Sequence, residues 1–283
     1  MLQKQHTLDK KLGWSLDERD PNFIKSIMPL LGFFYHYYFR VQTSGWHHIQ
    51  PDQKVLFVGS HNGGLSAPDM LMMMYDWFQR FGVEQPVYGL MHPRVWEVVP
   101  PLAQLVAKTG AIMAHPKMAY TALRSGASVL VYPGGAEDVF RPHSLRNKIY
   151  FAGRQGFIKL ALRENVPIVP VISTGAHDTL IVLADIYKNV HRLHELGMPW
   201  LLNIDPVVFP IYLGWPWGLA IGPLPNIPFP VTIHTQVCPP IVFERYGREA
   251  ASDRAYVDQC YNIVVSKMQF ELDQLVEKSQ SEE

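Results

Sequence analysis

The chain has 283 residues, enough for one α/β domain with an appendage and a large buried core. Its 25 Lys and Arg balance 25 Asp and Glu, so net charge makes no case for a nucleic-acid partner. Two distant cysteines, Cys238 and Cys260, form no CxxC; they imply neither a disulfide framework nor a zinc site, and they fit a reducing compartment.

Residues 1–21 are polar, lack the apolar core of a signal peptide and predict surface structure. Residues 23–39 are apolar and aromatic but interrupted by Lys25, Pro29, Gly32 and His36. They read either as a core helix or as an interfacial helix with Tyr and His at headgroup level. Nowhere does the chain offer a convincing span of the roughly 18 uncharged apolar residues a membrane crossing needs. This divides the chain into a helical, membrane-associating segment at 1–40 and an α/β domain at 41–283. A short strand starts at Arg40-Val41-Gln42.

Val55-Leu56-Phe57-Val58 is a continuous apolar run and predicts a buried strand. His61 follows it at once, and Gly63-Gly64 permit a tight turn or close approach of a ligand. Ser66 is placed as a helix N-cap, with Pro68 in the first turn and Asp69 near the start of a helix over 69–81. Further strands are expected at Val87–Met91, Gly110–Met113, Ser128–Tyr132, Val166–Val171 and Val231–Thr235. Helices are expected at 95–106, broken at Pro100-Pro101, and at 118–125 and 157–163. The alternation argues for a mostly parallel central sheet flanked by helices, preceded by the N-terminal apolar helical segment. Residues 198–230 are dense in proline and glycine and predict an irregular apolar segment, a cleft lid or a membrane-facing loop. The chain closes with an amphipathic helix over 251–277, whose stripe is Tyr256, Cys260, Val264, Met268 and Leu272.

The chemistry concentrates at strand ends, where open α/β sheets hold their ligands. A carboxylate such as Asp69 can hold His61 in one tautomer, leaving the other ring nitrogen to accept a hydroxyl proton. The segments GSHNGGLSAPD, KTGAIMAHPK, VYPGGAEDVFRP and VPIVPV then occur in a fixed order. This order resembles the glycerolipid (lysophospholipid) acyltransferase superfamily over roughly residues 40–245. The resemblance implies a membrane-associated enzyme that uses acyl-CoA or an acyl carrier protein thioester and activates an acceptor hydroxyl with a His–Asp pair. It implies catalytic roles for His61 and Asp69. Substrate contacts would come from Asn62, Gly63, Gly64, Lys117, Pro133, Gly134, Gly135, Glu137 and Arg141.

Two departures stand out. Seven residues, Asn62 to Pro68, separate His61 from Asp69 where the family usually has four, so Ser66 occupies the usual aspartate position. The family's Pro-Glu-Gly-Thr-Arg block reads Pro133-Gly134-Gly135-Ala136-Glu137, as in the neutral-lipid and phytyl-ester branch, with Arg141 as the candidate replacement cation. Arg141, Arg146, Lys148 and Arg154 read as a solvated face or as phosphate contacts. His191, His194 and Glu195 lack a third metal ligand and read as surface residues. The resulting expectation is an O-acyltransferase at the cytoplasmic face of a membrane. It needs no metal or nucleotide cofactor. The same dyad could instead serve a thioester hydrolase, and the scaffold could serve a non-catalytic lipid-binding protein.

Overall fold

The computed structural model describes residues 11–50, 52–98, 100–200 and 205–281. The expectations for residues 1–10 and for 201–204 fall outside this range. Helix α1 (Pro21–Phe33) is capped by the Asp20 carboxylate and runs directly into a single π-helical stretch at Phe34–Tyr38. Ile24, Tyr35 and Phe39 of this segment are buried, while Leu30, Phe33 and Tyr37 are exposed.

Ten strands follow among the described residues: β1 (Gln42–Ser44), β2 (Leu56–Gly59), β3 (Val87–Met91), β4 (Ala111–Met113), β5 (Ser128–Val131), β6 (Ile168–Thr174), β7 (Ile181–Asp185), β8 (Pro210–Gly214), β9 (Gly218–Ile221) and β10 (His234–Val237). Seven of them form one sheet in the order β1-β10-β6-β2-β5-β3-β4. The block from β6 to β4 is parallel; β10 runs antiparallel to β6 and parallel to β1. The helices are α2 (Pro68–Phe81), α3 (Pro93–Val98), α4 (Pro100–Lys108), α5 (Pro116–Arg124), α6 (Gly135–Val139), α7 (Gly156–Glu164), α8 (Tyr187–Glu195), α9 (Arg248–Ser252) and α10 (Arg254–Ser281).

Both faces of the sheet are covered, which is why its central strands are continuous apolar runs. Leu56 and Val58 of β2 point into a cluster with Ile158, Leu162 and, from α10, Cys260, Val264 and Met268. Phe57 points the other way, into a cluster with Trp46, Met73, Trp77 and Phe78. The expected α10 stripe is the buried one.

The structure differs from expectation in places. The prolines at 100–101 start a separate helix, because proline suits a first turn better than an interior. The last strand lies at His234–Val237, three residues beyond where alternation placed its start. Within 198–230, β8 and β9 pair antiparallel and β8 pairs with β7, giving a second, three-stranded sheet. Its alternation was hidden by proline and glycine: Tyr212 is fully buried while Leu213 and Leu219 face outward.

Candidate active site

Strand β2 sits between β5 and β6, so the residues leaving its carboxyl end emerge in the middle of the sheet edge. Ser60, His61 and Asn62 follow Gly59. Tyr132, just after β5, lies against the His61 ring with centroids 4.7 Å apart. It occupies the space over Gly59, where any Cβ would collide with its ring. Gly63 and Gly64 then turn the chain at φ of +77° and +66° into a short 3₁₀ turn, and α2 begins with Pro68 and Asp69. The glycine loop thus folds a helix N-terminus back over the strand end.

His61 is half-buried. Its Nδ1 is buried and has no hydrogen-bond partner. Asp69 is 1% exposed, and its carboxylate accepts from the Asn62 amide at 2.9 Å and from the Met70 N–H at 2.9 Å. Asn62 also donates to the Ser60 carbonyl at 3.0 Å and accepts from Arg141 Nη2 at 2.6 Å. Arg141 donates further to the carbonyls of His61 (2.6 Å), Asp138 (2.9 Å), Leu145 (3.1 Å) and Arg146 (2.8 Å), and pairs with the Asp138 carboxylate at 2.8 Å. The other Asp138 oxygen accepts the His61 backbone N–H at 2.5 Å. Ser60, Asp138, Arg141, Asn62 and Asp69 therefore form one buried polar chain beneath the imidazole.

Electrostatics follow from this burial. Loss of water lowers the His61 pKa to about 4, helped by the Arg141 charge, so the ring is a neutral imidazole at physiological pH. Desolvation raises both Asp69 and Asp138 to about 7, partly offset by hydrogen bonds and by Arg141. Such displaced values in one cleft are typical of acid–base sites.

The expected site residues divide sharply. His61, Asn62, Gly63, Gly64, Asp69, Pro133, Gly134, Gly135, Glu137 and Arg141 lie at the adjoining ends of β2 and β5 and in the segments that follow them. Lys117 does not: it starts α5 beyond β4, three strands from β2, roughly 14 Å at about 4.8 Å a strand. Arg141, expected as a substrate-facing cation, is 4% exposed and engaged with protein acceptors. Asn62 is likewise engaged at both ends of its amide. Glu137 pairs with Arg154, which also donates to the Gly134 carbonyl at 2.7 Å. Ser66 is not an N-cap: the cap residue is Ala67, at φ +39°, and the Ser66 hydroxyl donates to the Asn226 carbonyl at 2.9 Å. The 3₁₀ turn rotates it away from the helix end and toward the returning 222–230 segment. His61 and Asp69 are linked through Asn62 rather than by a direct hydrogen bond.

Sequence reasoning missed Asp138, Ser60 and Tyr132. The available signal was Asp138 three residues before Arg141, the spacing of a helical ion pair.

A central, mostly parallel sheet with a histidine-bearing loop at the end of its middle strand defines an α/β protein whose candidate site lies at the carboxyl edge of the sheet. The sequence model of the Acyltransferase family matches residues 40–174, which span β1 to β6 and the whole polar chain. The crystal structure of the 1-acyl-sn-glycerophosphate acyltransferase PlsC from Thermotoga maritima has the same fold, with a TM-score of 0.50 at 14% identity, covering 88% of this chain and 79% of that one. An uncharacterised Mycobacterium tuberculosis protein is 33% identical over 216 residues, which are 75% of this chain and 57% of the relative. Human 2-acylglycerol O-acyltransferase 3 is 29% identical over 119 residues, 41% of this chain and 33% of that protein. The chain spans little more than half the length of the mycobacterial relative. Residues 40–174 are thus similar to the Acyltransferase family, and the relatives that the chain matches include an acylglycerol O-acyltransferase.

Proposed function

We propose that this chain is an O-acyltransferase that moves a fatty acyl group from an acyl-CoA or acyl carrier protein thioester to a lipid-like alcohol. The observation that carries the reading is His61: an uncharged, half-buried imidazole at the carboxyl edge of the sheet, lying against the Tyr132 ring and held by its backbone between Asp138 and Arg141. Nε2 takes the acceptor hydroxyl proton as the oxygen attacks the thioester carbonyl. The tetrahedral intermediate collapses with loss of the thiolate, which the imidazolium protonates. Asp69, when ionised, supports the transient imidazolium from below. Backbone N–H groups of the glycine loops are the candidate oxyanion donors.

Two features favour an uncharged acylglycerol over a phosphorylated acceptor. Arg141, bound to Asp138, and Arg154, bound to Gly134 and Glu137, are both engaged with protein groups. One relative is named as a 2-acylglycerol acyltransferase. No described helix is long and apolar enough to cross a membrane. Peripheral attachment at a membrane's cytoplasmic face is part of the same proposal, and the exposed Trp215, Trp217, Leu30 and Phe33 support a membrane-surface attachment.

The test offers the purified chain long-chain acyl-CoA and acyl carrier protein thioesters with monoacylglycerol, lysophosphatidate or no acceptor. Ester formation with monoacylglycerol, abolished in His61→Ala, is expected. Thioester cleavage at full rate without alcohol would instead make the protein a hydrolase.

A further inference from the structure

We propose that the buried Asp138–Arg141 pair is the positioning device of this site: it grips the His61 backbone at both ends and, through Asn62, sets Asp69. The inference rests on His61 being the base.

The geometry is unusually closed. One Asp138 oxygen accepts the His61 N–H at 2.5 Å, and Arg141 Nη1 donates to the His61 carbonyl at 2.6 Å. The two side chains are joined by a 2.8 Å ion pair, with relative exposures of 3% and 0%. The same guanidinium holds the Asn62 oxygen, and the Asn62 amide holds Asp69. One planar group therefore fixes the residue carrying the imidazole and the carboxyl beside it. Lysine could not replace it, because a single ammonium cannot present this fork of donors. A structural ion pair would stabilise no better than apolar packing of the same volume. Its attachment to two consecutive loop residues, rather than to the core, is what gives it a role at the site. Gly134 preserves the arrangement, since a Cβ there would collide with the Asp138 side chain and the Tyr150 carbonyl.

The charged and titratable groups around His61 are Tyr132 after β5, Asp69 at the start of α2, Asp138 of α6 and Arg141 after it. His177 backs the pair, its Nε2 lying 2.8 Å from the Arg141 carbonyl oxygen. Arg141 favours the neutral form of His61 and the ionised form of Asp69. Its removal shifts both groups upward in pKa, so the acid limb of the pH–rate profile moves to higher pH whichever of them it reports.

The experiment compares the wild-type full chain, Arg141→Met and the double variant Arg141→Met with Asp138→Leu. In the wild type, the His61 amide should show a strongly downfield ¹H resonance and slow exchange; a rapidly exchanging amide would overturn the proposal without any variant. In Arg141→Met, kcat should fall about a hundredfold, the effect of a small misplacement of a catalytic group. KM should stay unchanged and the acid limb should move up. A rise in KM at constant kcat would make Arg141 a substrate ligand and refute its positioning role. The double variant removes both members of the ion pair, so it should melt above Arg141→Met yet remain as slow. A folded double variant with wild-type kcat would refute the clamp. If the wild type transfers no acyl group, the functional reading fails, while the amide measurement still reports on the clamp.

Discussion

At the scale of single residues, the site turns on which neighbour supports His61. Asp69 is fully buried, is the carboxyl that the start of α2 brings to the loop, and accepts a hydrogen bond from Asn62, the residue after His61. Ser66, five residues after His61, points at a different segment. Asp69→Asn should therefore lower turnover on the order of a hundredfold, the usual size of an acid–base effect. Ser66→Ala should cost about 1 kcal/mol of stability, the worth of a neutral hydrogen bond, and leave most activity. Purified variants assayed for thioester-dependent acylation, with melting temperatures alongside, check both. An active Asp69→Asn beside an inactive, folded Ser66→Ala would reverse the assignment. Asp69 was legible in the sequence as a carboxylate at a helix start. Its attachment through Asn62 was not, because an amide seven residues away in the chain becomes a partner only once the glycine loop has turned.

At the scale of elements, the turn between β5 and α6 shows how backbone shape serves the site. The Pro-Gly-Gly block reads from sequence as a tight turn admitting substrate. The structure gives its two glycines different duties. Gly134 is crowded by Asp138 and Tyr150, whereas a Cβ at Gly135 would meet only the Arg154 guanidinium, at an ordinary 3.9 Å, but the residue has a φ of +57°. Gly134→Ala should displace α6, lowering both the melting temperature and kcat. Gly156, at the start of α7, has neither a neighbour within 4 Å nor a left-handed φ. Gly156→Ala should stabilise the protein by about 0.5 kcal/mol through the unfolded chain, without touching activity. Differential scanning calorimetry of the pair separates a crowded glycine from a free one. An unchanged melting temperature in Gly134→Ala would mean that the turn yields more than its contacts suggest.

At the scale of the whole molecule, the second sheet presents a face the core does not need. From Pro206 to Ile233 the chain holds no Asp, Glu, Lys or Arg. Trp215, Trp217, Leu219 and Ile221 are each more than half exposed along β8, β9 and their connection. Exposed aromatics in an uncharged patch suit the headgroup boundary of a bilayer. The patch adjoins the site, since the Ser66 hydroxyl reaches Asn226 and a Cβ at Gly64 would meet Leu180 and Asn226. Replacing Trp217 and Leu219 together by Ser should weaken sedimentation with phosphatidylcholine vesicles severalfold, while turnover on detergent-dispersed acceptor is kept. Undiminished vesicle binding would move the attachment elsewhere, the exposed Leu30, Phe33 and Tyr37 of the N-terminal helical segment being the next candidates.

Much of this architecture was determined by the sequence alone, where local chemistry is decisive. Runs such as Val55–Val58 and Val129–Val131 are apolar without interruption because both faces of their strands are covered. The spacing of Tyr256, Cys260, Val264, Met268 and Leu272 defines one face of one helix. His61 and Asp69 lie, as expected, after a strand end and at a helix start. Tertiary structure decided what depends on distant segments meeting. It turned an apparently irregular proline-rich stretch into a sheet, because β8 finds β7 and β9. It withdrew Arg141 from solvent, because the network of Asp138, Asn62 and four backbone carbonyls meets all the hydrogen-bonding capacity of a guanidinium. It left Lys117 at the far edge, because strand order does not follow chain order. A pattern of residues encodes its own burial, but the partners of a buried polar group are set only when the chain has closed around it.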